Sequence, residues 1–175
     1  TAQALLANMA AMYAVYHGPE GLKDIAYRVS LLAATLAAKL KELGYELIGD
    51  AFFDTIKIRV NNIAAIRQVA ESREINFRYY DDRHLGISID ETVSPNDILD
   101  IVAALEEASG RPVASVTFDA EAPLNNIPEN LKRSSPFLTH AVFNIYHSET
   151  EMMRYIKRLE NKDLSLNTSM IALGS

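Results

Sequence analysis

Apolar residues recur every three or four positions through residues 3–43, a period that predicts helices. Residues 3–17 form the first predicted helix, and because apolar side chains surround it nearly completely, we expect it to be buried on several sides. Gly18 and Pro19 end this helix and open a second one, which reaches a glycine cap at Gly44. Residues 1–44 are therefore predicted to form two helices, the second long and leading into the next domain.

From Tyr45 the period changes to two, which predicts strands with one buried face. The predicted strands cover residues 45–48, 55–60, 77–80 and 85–89. Asn62 is placed to cap a helix between them, and Ser94, Pro95 and Asp97 open a further helix that Gly110 ends. Half-buried strands favour a mostly antiparallel sheet with helices on one face and solvent on the other. Residues 45–110 are thus predicted to be a small α/β (α+β) two-layer sandwich.

Residues 111–136 lack a clear period and contain most of the chain's prolines. We interpret them as a long connector between two bodies, with Phe118, Leu124 and Leu131 as candidate anchors. A terminal helix follows, in which Ser148 and Glu151 predict a capping box. Its predicted apolar stripe consists of Met152, Tyr155, Ile156 and Leu159.

The amino-acid composition excludes several classes of protein but does not identify the function. The 175 residues are 49% hydrophobic, as expected for a folded domain, and the net charge of -6 argues against a nucleic-acid partner. The absence of cysteine excludes a thiol nucleophile and Cys-ligated zinc. No apolar run reaches the roughly 20 residues of a membrane span. Because the sequence enters a helical pattern at Thr1 without an initiator Met, we interpret it as a segment of a longer protein.

No catalytic group emerges from the residues themselves. His140 and His147 lie seven positions apart without a third ligand at a supporting spacing, so we expect no metal site. The acid pairs Asp81-Asp82, Asp90-Glu91 and Glu106-Glu107 fall at strand or helix ends, where turns and caps explain them. Neither a phosphate-binding glycine loop nor a nucleophile elbow is present.

Several runs of residues nevertheless form a specific pattern over the whole chain. In the carboxyl-terminal part they are Phe137-Leu-Thr-His140, Val142-Phe-Asn144, Tyr146-His-Ser-Glu-Thr-Glu-Met-Met-Arg-Tyr155, Leu159-Glu160, Lys162-Asp163-Leu164, Ser169-Met-Ile171 and Leu173-Gly-Ser175. Supporting runs are Thr1-Ala-Gln-Ala-Leu-Leu-Ala-Asn-Met9, Tyr13-Ala-Val-Tyr-His-Gly-Pro19 and Leu85-Gly-Ile-Ser-Ile-Asp-Glu-Thr92. This pattern closely resembles the P-protein (glycine decarboxylase) family of the glycine cleavage system. The chain departs from the family at Ala141, Ile145 and Ala172, which weakens any role for the side chains replaced there.

The resemblance implies a fold and a position within a larger enzyme. Two aminotransferase-like halves follow one another in the family, so the chain would comprise the small domain of the first half, the connector and, in residues 137–175, the start of the second half. The parent enzyme would use pyridoxal phosphate to decarboxylate glycine and would pass the aminomethyl group to a lipoyl carrier, the H-protein. The lysine that holds the cofactor lies outside this chain in the family.

For this segment alone the resemblance therefore implies no bound cofactor, no catalytic residue and no activity. Gly174 and Ser175 are candidates for lining the substrate pocket, with His147 a more distant one. The expected partners are the remainder of the parent enzyme, as a homodimer or as paired halves, and the H-protein, with neither nucleic acid nor membrane. The location would be the cytoplasm in a bacterium or the mitochondrial matrix in a eukaryote.

Two alternatives remain open. One is a non-catalytic regulatory or assembly module that binds a small amino acid or a partner chain, because small α/β sandwiches often bind such ligands. The other is the small domain of an unrelated aminotransferase, which would lack the run from Tyr146 to Glu151.

Overall fold

The computed structural model describes residues 3–112, 115–119 and 124–170. The helices are α1 (Ala4–Glu42), α2 (Ile63–Ser72), α3 (Pro95–Ser109) and α4 (Glu149–Glu160), and the strands are β1 (Glu46–Leu47), β2 (Thr55–Arg59), β3 (Arg78–Tyr79) and β4 (His84–Ser88). The chain forms two compact units. One, the sandwich unit, consists of residues 25–133, and the other, the terminal unit, joins the residues up to Asp24 with those from Ser134 onward.

The sandwich unit contains one antiparallel sheet in the order β1-β2-β4-β3. In the central pair, Ile56 lies opposite Ile87 and Ile58 opposite Leu85. These apolar side chains are buried. Residues that alternate with them lie on the other face, where the hydroxyls of Thr55 and Ser88 are 3.0 Å apart. The alternation of the sequence is therefore realised as one apolar face and one polar face.

Helices cover the apolar face of that sheet. The hydrophobic core joins Ile56, Ile58, Leu85 and Ile87 to buried residues of α1, α2 and α3. The helical contributors include Leu36, Leu40, Ile66, Ile98, Val102 and Leu105. Burial of these side chains is the main stabilising contribution, since a fully buried Leu or Ile contributes about 1.5–3 kcal/mol. The predicted two-layer α/β sandwich is confirmed.

Most predicted ends of elements are set by local capping. Gly44 follows α1 with φ 83°, its N–H bonds to the carbonyl of Lys41, and the N–H of Tyr45 bonds to the carbonyl of Leu40. This pair of bonds is a Schellman motif, which confirms the predicted glycine cap. Asn62 caps α2 by accepting a hydrogen bond from the Ala65 N–H at 3.0 Å. The outer strands β1 and β3 are each two residues long and thus shorter than predicted.

The amino-terminal part of α1 differs from its prediction. The side chains of Leu5, Leu6 and Met9 are 69%, 62% and 58% exposed, whereas Val15 is 3% exposed. The prediction that this helix is buried on several sides is therefore wrong for this chain. An apolar surface shows that a segment needs a covering partner, but it does not show that the partner belongs to the same chain.

The connector is held to the rest of the sandwich unit by Asn126, a polar residue that the sequence did not single out. Asn126 is 8% exposed, and its Nδ2 donates to Ser30 Oγ and to the Phe52 carbonyl, each at 2.9 Å. The Phe52 N–H donates in return to the Asn126 carbonyl at 3.1 Å. Among the predicted anchors, Phe118 packs against the core, but Leu131 is 67% exposed, so its prediction is wrong.

Helix α3 begins with the predicted capping box. Ser94 Oγ accepts from the Asp97 N–H, and the Asp97 carboxylate accepts from the Ser94 hydroxyl at 2.6 Å and from the Ser94 N–H at 2.7 Å. The Ser94 hydroxyl, followed by the Ser94 N–H, lowers the pKa of Asp97 below its ordinary value of 3.8. Deprotonation of this carboxyl therefore stabilises the folded state.

We expect this carboxylate to contribute to acid sensitivity. Because the pKa of Asp97 is lower in the folded than in the unfolded state, its contribution is present above about pH 4 and is lost as the pH falls through the folded value. Asp97→Asn should therefore destabilise the protein at pH 7 and narrow the difference in stability between pH 7 and pH 3. Urea denaturation at both pH values measures this effect, with the exposed Asp100→Asn in the same helix as control. An unchanged difference would contradict the prediction.

Helix α4 also starts at its predicted N-cap, but the predicted capping box is incomplete, because the Glu151 carboxylate bonds to the Ser148 hydroxyl and not to the Ser148 N–H. Ser148 Oγ accepts from the Glu151 N–H at 3.3 Å, and the Glu151 carboxylate bonds to the Ser148 hydroxyl at 3.0 Å. In the predicted stripe Met152 is buried, whereas Ile156 is 45% exposed. Within the part of the chain that the structure describes, no helix combines the length and apolarity needed to cross a membrane.

Candidate functional site

His147 is the one predicted pocket residue that the structure describes, since Gly174 and Ser175 lie outside the described residues. It belongs to the terminal unit, directly before the N-cap of α4. Its Nδ1 lies 2.7 Å from the Tyr16 carbonyl oxygen, an atom that can only accept a hydrogen bond. Nδ1 is therefore protonated, and in the neutral imidazole Nε2 is the acceptor.

Gly18 allows His147 to approach the backbone of α1 closely. This residue has φ 64° and ψ -177°, a conformation available essentially to glycine alone, and it interrupts the helical geometry before Pro19. A Cβ atom at this position would lie 2.7 Å from His147 Cε1 and 2.7 Å from the Phe143 carbonyl oxygen. The break predicted at Gly18 and Pro19 is thus confirmed, and its tertiary reason is this contact.

The other histidines do not extend this contact into a metal site. His140 Nδ1 accepts the Val142 N–H at 3.2 Å and caps the short 3₁₀ helix Ala141–Asn144. The His17 ring packs against those of Tyr13 and Tyr16, with centroids 4.4 Å and 5.2 Å away. Across residues 3–112, 115–119 and 124–170, no three His, Asp or Glu side chains are grouped so that they could hold a metal ion.

A second polar cluster of the terminal unit surrounds Arg158. Its Nη2 donates to the Tyr146 hydroxyl at 2.5 Å, and the rings of Tyr146 and Tyr155 are stacked with centroids 4.3 Å apart. The guanidinium carbon lies 5.5 Å and 5.3 Å from those two centroids. Cation–π attraction to the two rings thus restrains the Arg158 guanidinium. Sequence reasoning missed this cluster because Tyr146 precedes α4 and so follows no helical spacing.

Two of the carboxylates that the sequence attributed to turns and caps, Asp81 and Asp90, have such roles, whereas Glu107 instead forms an ion pair with Arg73 at 2.6 Å. Asp81 accepts from the Arg83 N–H at 2.8 Å, and this bond, with that from His84, lowers the pKa of Asp81. Asp90 accepts from the Thr92 hydroxyl at 2.6 Å, which lowers its pKa in the same way. Lowered pKa values suit permanently ionised turn residues and do not suit a general acid at neutral pH.

The glutamate at the end of α4 has a similar structural role. Hydrogen bonds from Lys157 and then Ser165 lower the pKa of Glu160. The carboxylate accepts from Lys157 at 2.8 Å and from Asn167 at 2.9 Å. It therefore fastens the segment that follows α4 back onto the helix end.

A lysine that forms a Schiff base with a cofactor is normally desolvated or placed beside another cation. Four described lysines instead form ion pairs with a glutamate three positions away, at 2.7–2.9 Å: Lys23, Lys39, Lys132 and Lys157. These four amines are therefore paired with carboxylates, and no chemical step is assigned to them.

Fold and contacts together define a two-layer α/β segment whose described charged groups mainly serve caps, turns and ion pairs. The family model of the glycine cleavage system P-protein matches residues 1–105. A relative, the glycine dehydrogenase (decarboxylating) of Christiangramia forsetii, is 52% identical over 175 residues. That alignment covers 100% of this chain and 18% of the relative's length. The chain belongs to the glycine cleavage system P-protein family, which confirms the resemblance found in the sequence.

Proposed function

We propose that this chain serves as a structural segment of a glycine dehydrogenase (decarboxylating) and is inactive alone. The observation that carries the proposal is the alignment, in which the whole chain matches less than a fifth of the relative. A segment of this size supplies part of a fold, and the remainder supplies the other walls of any active site. The ion-paired lysines support the same conclusion, since none of them resembles a Schiff-base lysine.

The surface of the terminal unit supports a role within a larger protein. Leu5, Met9, Tyr13 and Tyr16 recur at helical spacing along α1 and are between 37% and 69% exposed. A stripe of this kind is costly to leave in water, and it typically marks an interface. We assign its occupant to the remainder of the parent polypeptide, because that polypeptide is more than five times longer in the relative.

The chemistry of the parent enzyme is part of the proposal. The family implies pyridoxal phosphate, which supplies an electron sink for loss of the glycine carboxylate when it is bound. We further propose that the aminomethyl group passes to the lipoyl group of the H-protein. In this scheme the present chain positions and covers other segments, and His147 is its candidate for contributing to the pocket.

The test measures carbon dioxide release from glycine labelled in its carboxyl carbon, with pyridoxal phosphate and lipoylated H-protein present. We expect the isolated chain to release no more carbon dioxide than pyridoxal phosphate does without protein. The full-length parent is expected to be active. Release by the chain above the protein-free rate would overturn the proposal. Saturable binding of glycine without pyridoxal phosphate would instead favour a regulatory module.

A pair of variants tests the proposed interface independently of activity. In the full-length parent, Leu5→Asp is expected to lower the melting temperature more than Leu99→Asp, which places the same charge on the 42% exposed position of α3. In the isolated chain both positions are exposed, so the two variants should differ little. Equal effects of the two variants in the parent would argue against the assigned interface.

A further inference from the structure

A cavity of about 310 Å³ opens in the sandwich unit and is lined by residues between Leu43 and Arg111. Most of the charged side chains in its lining are arginines. Its lining combines the guanidinium groups of Arg59 and Arg111 with a single carboxylate, that of Glu46. Neutral hydrogen-bonding side chains complete the polar lining: Tyr45, Asn61, Asn62 and Ser109. A cationic excess is notable in a protein of net charge -6.

Arg111 is fixed in this cavity by the end of α1. Its Nη1 donates to the Leu43 carbonyl oxygen at 3.2 Å, and its backbone N–H donates to Ser109 Oγ at 3.3 Å. A Cβ at Gly44 would lie 2.5 Å from Nη1, so glycine is needed for this approach. One terminal nitrogen thus anchors the side chain, while the planar guanidinium carries five N–H donors in all.

Arg59 reaches the cavity from the end of β2 and is balanced there by Glu46. The two residues are direct partners in the register of β1 and β2, and their charged atoms lie 2.8 Å apart. Both side chains are at least half exposed, at 50% and 59%. An ion pair this exposed is weak, so an incoming anion can compete with the Glu46 carboxylate for Arg59.

We propose that this cavity is a binding site for a small oxyanion, a carboxylate or a phosphate, held by Arg111 and Arg59 with Glu46 as an internal competitor. The planar fork of arginine matches both groups and binds them with paired hydrogen bonds. Asn62 is also the N-cap of the ten-residue helix α2, whose positive end adds to the favourable potential. The cavity volume is at the lower end of small-molecule sites, which suits a ligand of few heavy atoms.

The test is an amide NMR titration of the 175-residue chain with inorganic phosphate in one arm and malonate in the other. Sodium chloride keeps the ionic strength constant. We expect saturable shifts at Gly44, Asn61, Asn62 and Ser109. Binding in both arms supports a general oxyanion site, and binding in one arm alone identifies that class of ligand.

Three variants separate a binding site from a merely structural arginine cluster. Arg111→Gln should weaken binding about tenfold, the loss expected for one charge-assisted hydrogen bond. Glu46→Gln should strengthen binding, because it removes the competitor of Arg59. Arg78→Gln, on the same sheet but outside the cavity lining, should leave binding unchanged. If Arg111→Gln does not fold, Arg59→Gln is the replacement and should also weaken binding.

Shifts that never saturate, or that are equal in wild type and in the arginine variants, would overturn the proposal. Weaker binding by Glu46→Gln would also overturn it, since a purely structural role of the ion pair predicts that result. The titration does not depend on decarboxylase activity, so its failure is distinguishable from failure of the function proposed for the parent enzyme.

Discussion

Gly18→Ala is expected to lower the free energy of unfolding by about 3 kcal/mol. One part of the loss is conformational, because φ 64° with ψ -177° lies in a region essentially restricted to glycine. The other part is steric, because the new methyl group would meet the Phe143 carbonyl oxygen and His147 Cε1 at 2.7 Å. Backbone cannot rotate away as a side chain can, so α1 or the segment before α4 must move.

Urea denaturation measures this loss, and the NMR signals of the His147 imidazole report the local displacement. Gly49→Ala is the matched control, since Gly49 also has a positive φ, 97°, but a methyl group added there would have no neighbouring atom within 4 Å. It should cost only the conformational part, about 1 kcal/mol. Equal losses in the two variants would mean that close packing at His147 contributes nothing.

Asn126→Asp is expected to lower the free energy of unfolding by about 3 kcal/mol at pH 7. The substitution keeps the shape of the side chain but replaces the Nδ2 donor with a carboxylate oxygen facing the Phe52 carbonyl, now 2.9 Å from Nδ2. The Ser30 hydroxyl can turn to donate, so only part of the buried charge is compensated. The connector is therefore expected to detach first from the rest of the sandwich unit.

Lower pH should reverse much of this effect. Burial raises the pKa of the introduced carboxyl in the folded state above its unfolded value of about 3.9. The penalty from the charge is then complete above the folded pKa and disappears below about pH 4. Urea denaturation at pH 7 and pH 4 tests this, with the exposed Asn130→Asp on the same connector as control, expected within about 0.5 kcal/mol of wild type. A deficit independent of pH would contradict a buried carboxylate.

The fold was largely predictable because its signals are local. Asn62, Ser94 and Asp97 bond to backbone groups within three residues, and Gly44 closes α1 through its own conformation. The alternation of apolar and polar residues in β2 and β4 likewise predicts one buried face. Strand ends were less predictable, because β1 and β3 depend on how many residues find a partner on the neighbouring strand.

The sites were far less predictable because their members are remote in sequence. His147 and Tyr16 are separated by 131 positions, and Asn126 and Ser30 by 96. His147 itself became a candidate through the family resemblance, without any spacing that pointed to Tyr16. The one available signal for Asn126 was Ser30, a hydroxyl inside the apolar pattern of α1 that needed a buried partner.

The sequence by itself determined the elements, the apolar face of the sheet and the family, because periodicity, capping and residue identity are properties of neighbouring positions. Tertiary structure alone decided which polar groups meet: the imidazole of His147 on the kink at Gly18, Asn126 on Ser30, and the two arginines around one cavity. It also decided that the apolar stripe of Leu5 and Met9 stays exposed in this chain. Such contacts depend on chain segments that lie far apart in sequence, and a covering partner can be supplied by a different part of a longer protein.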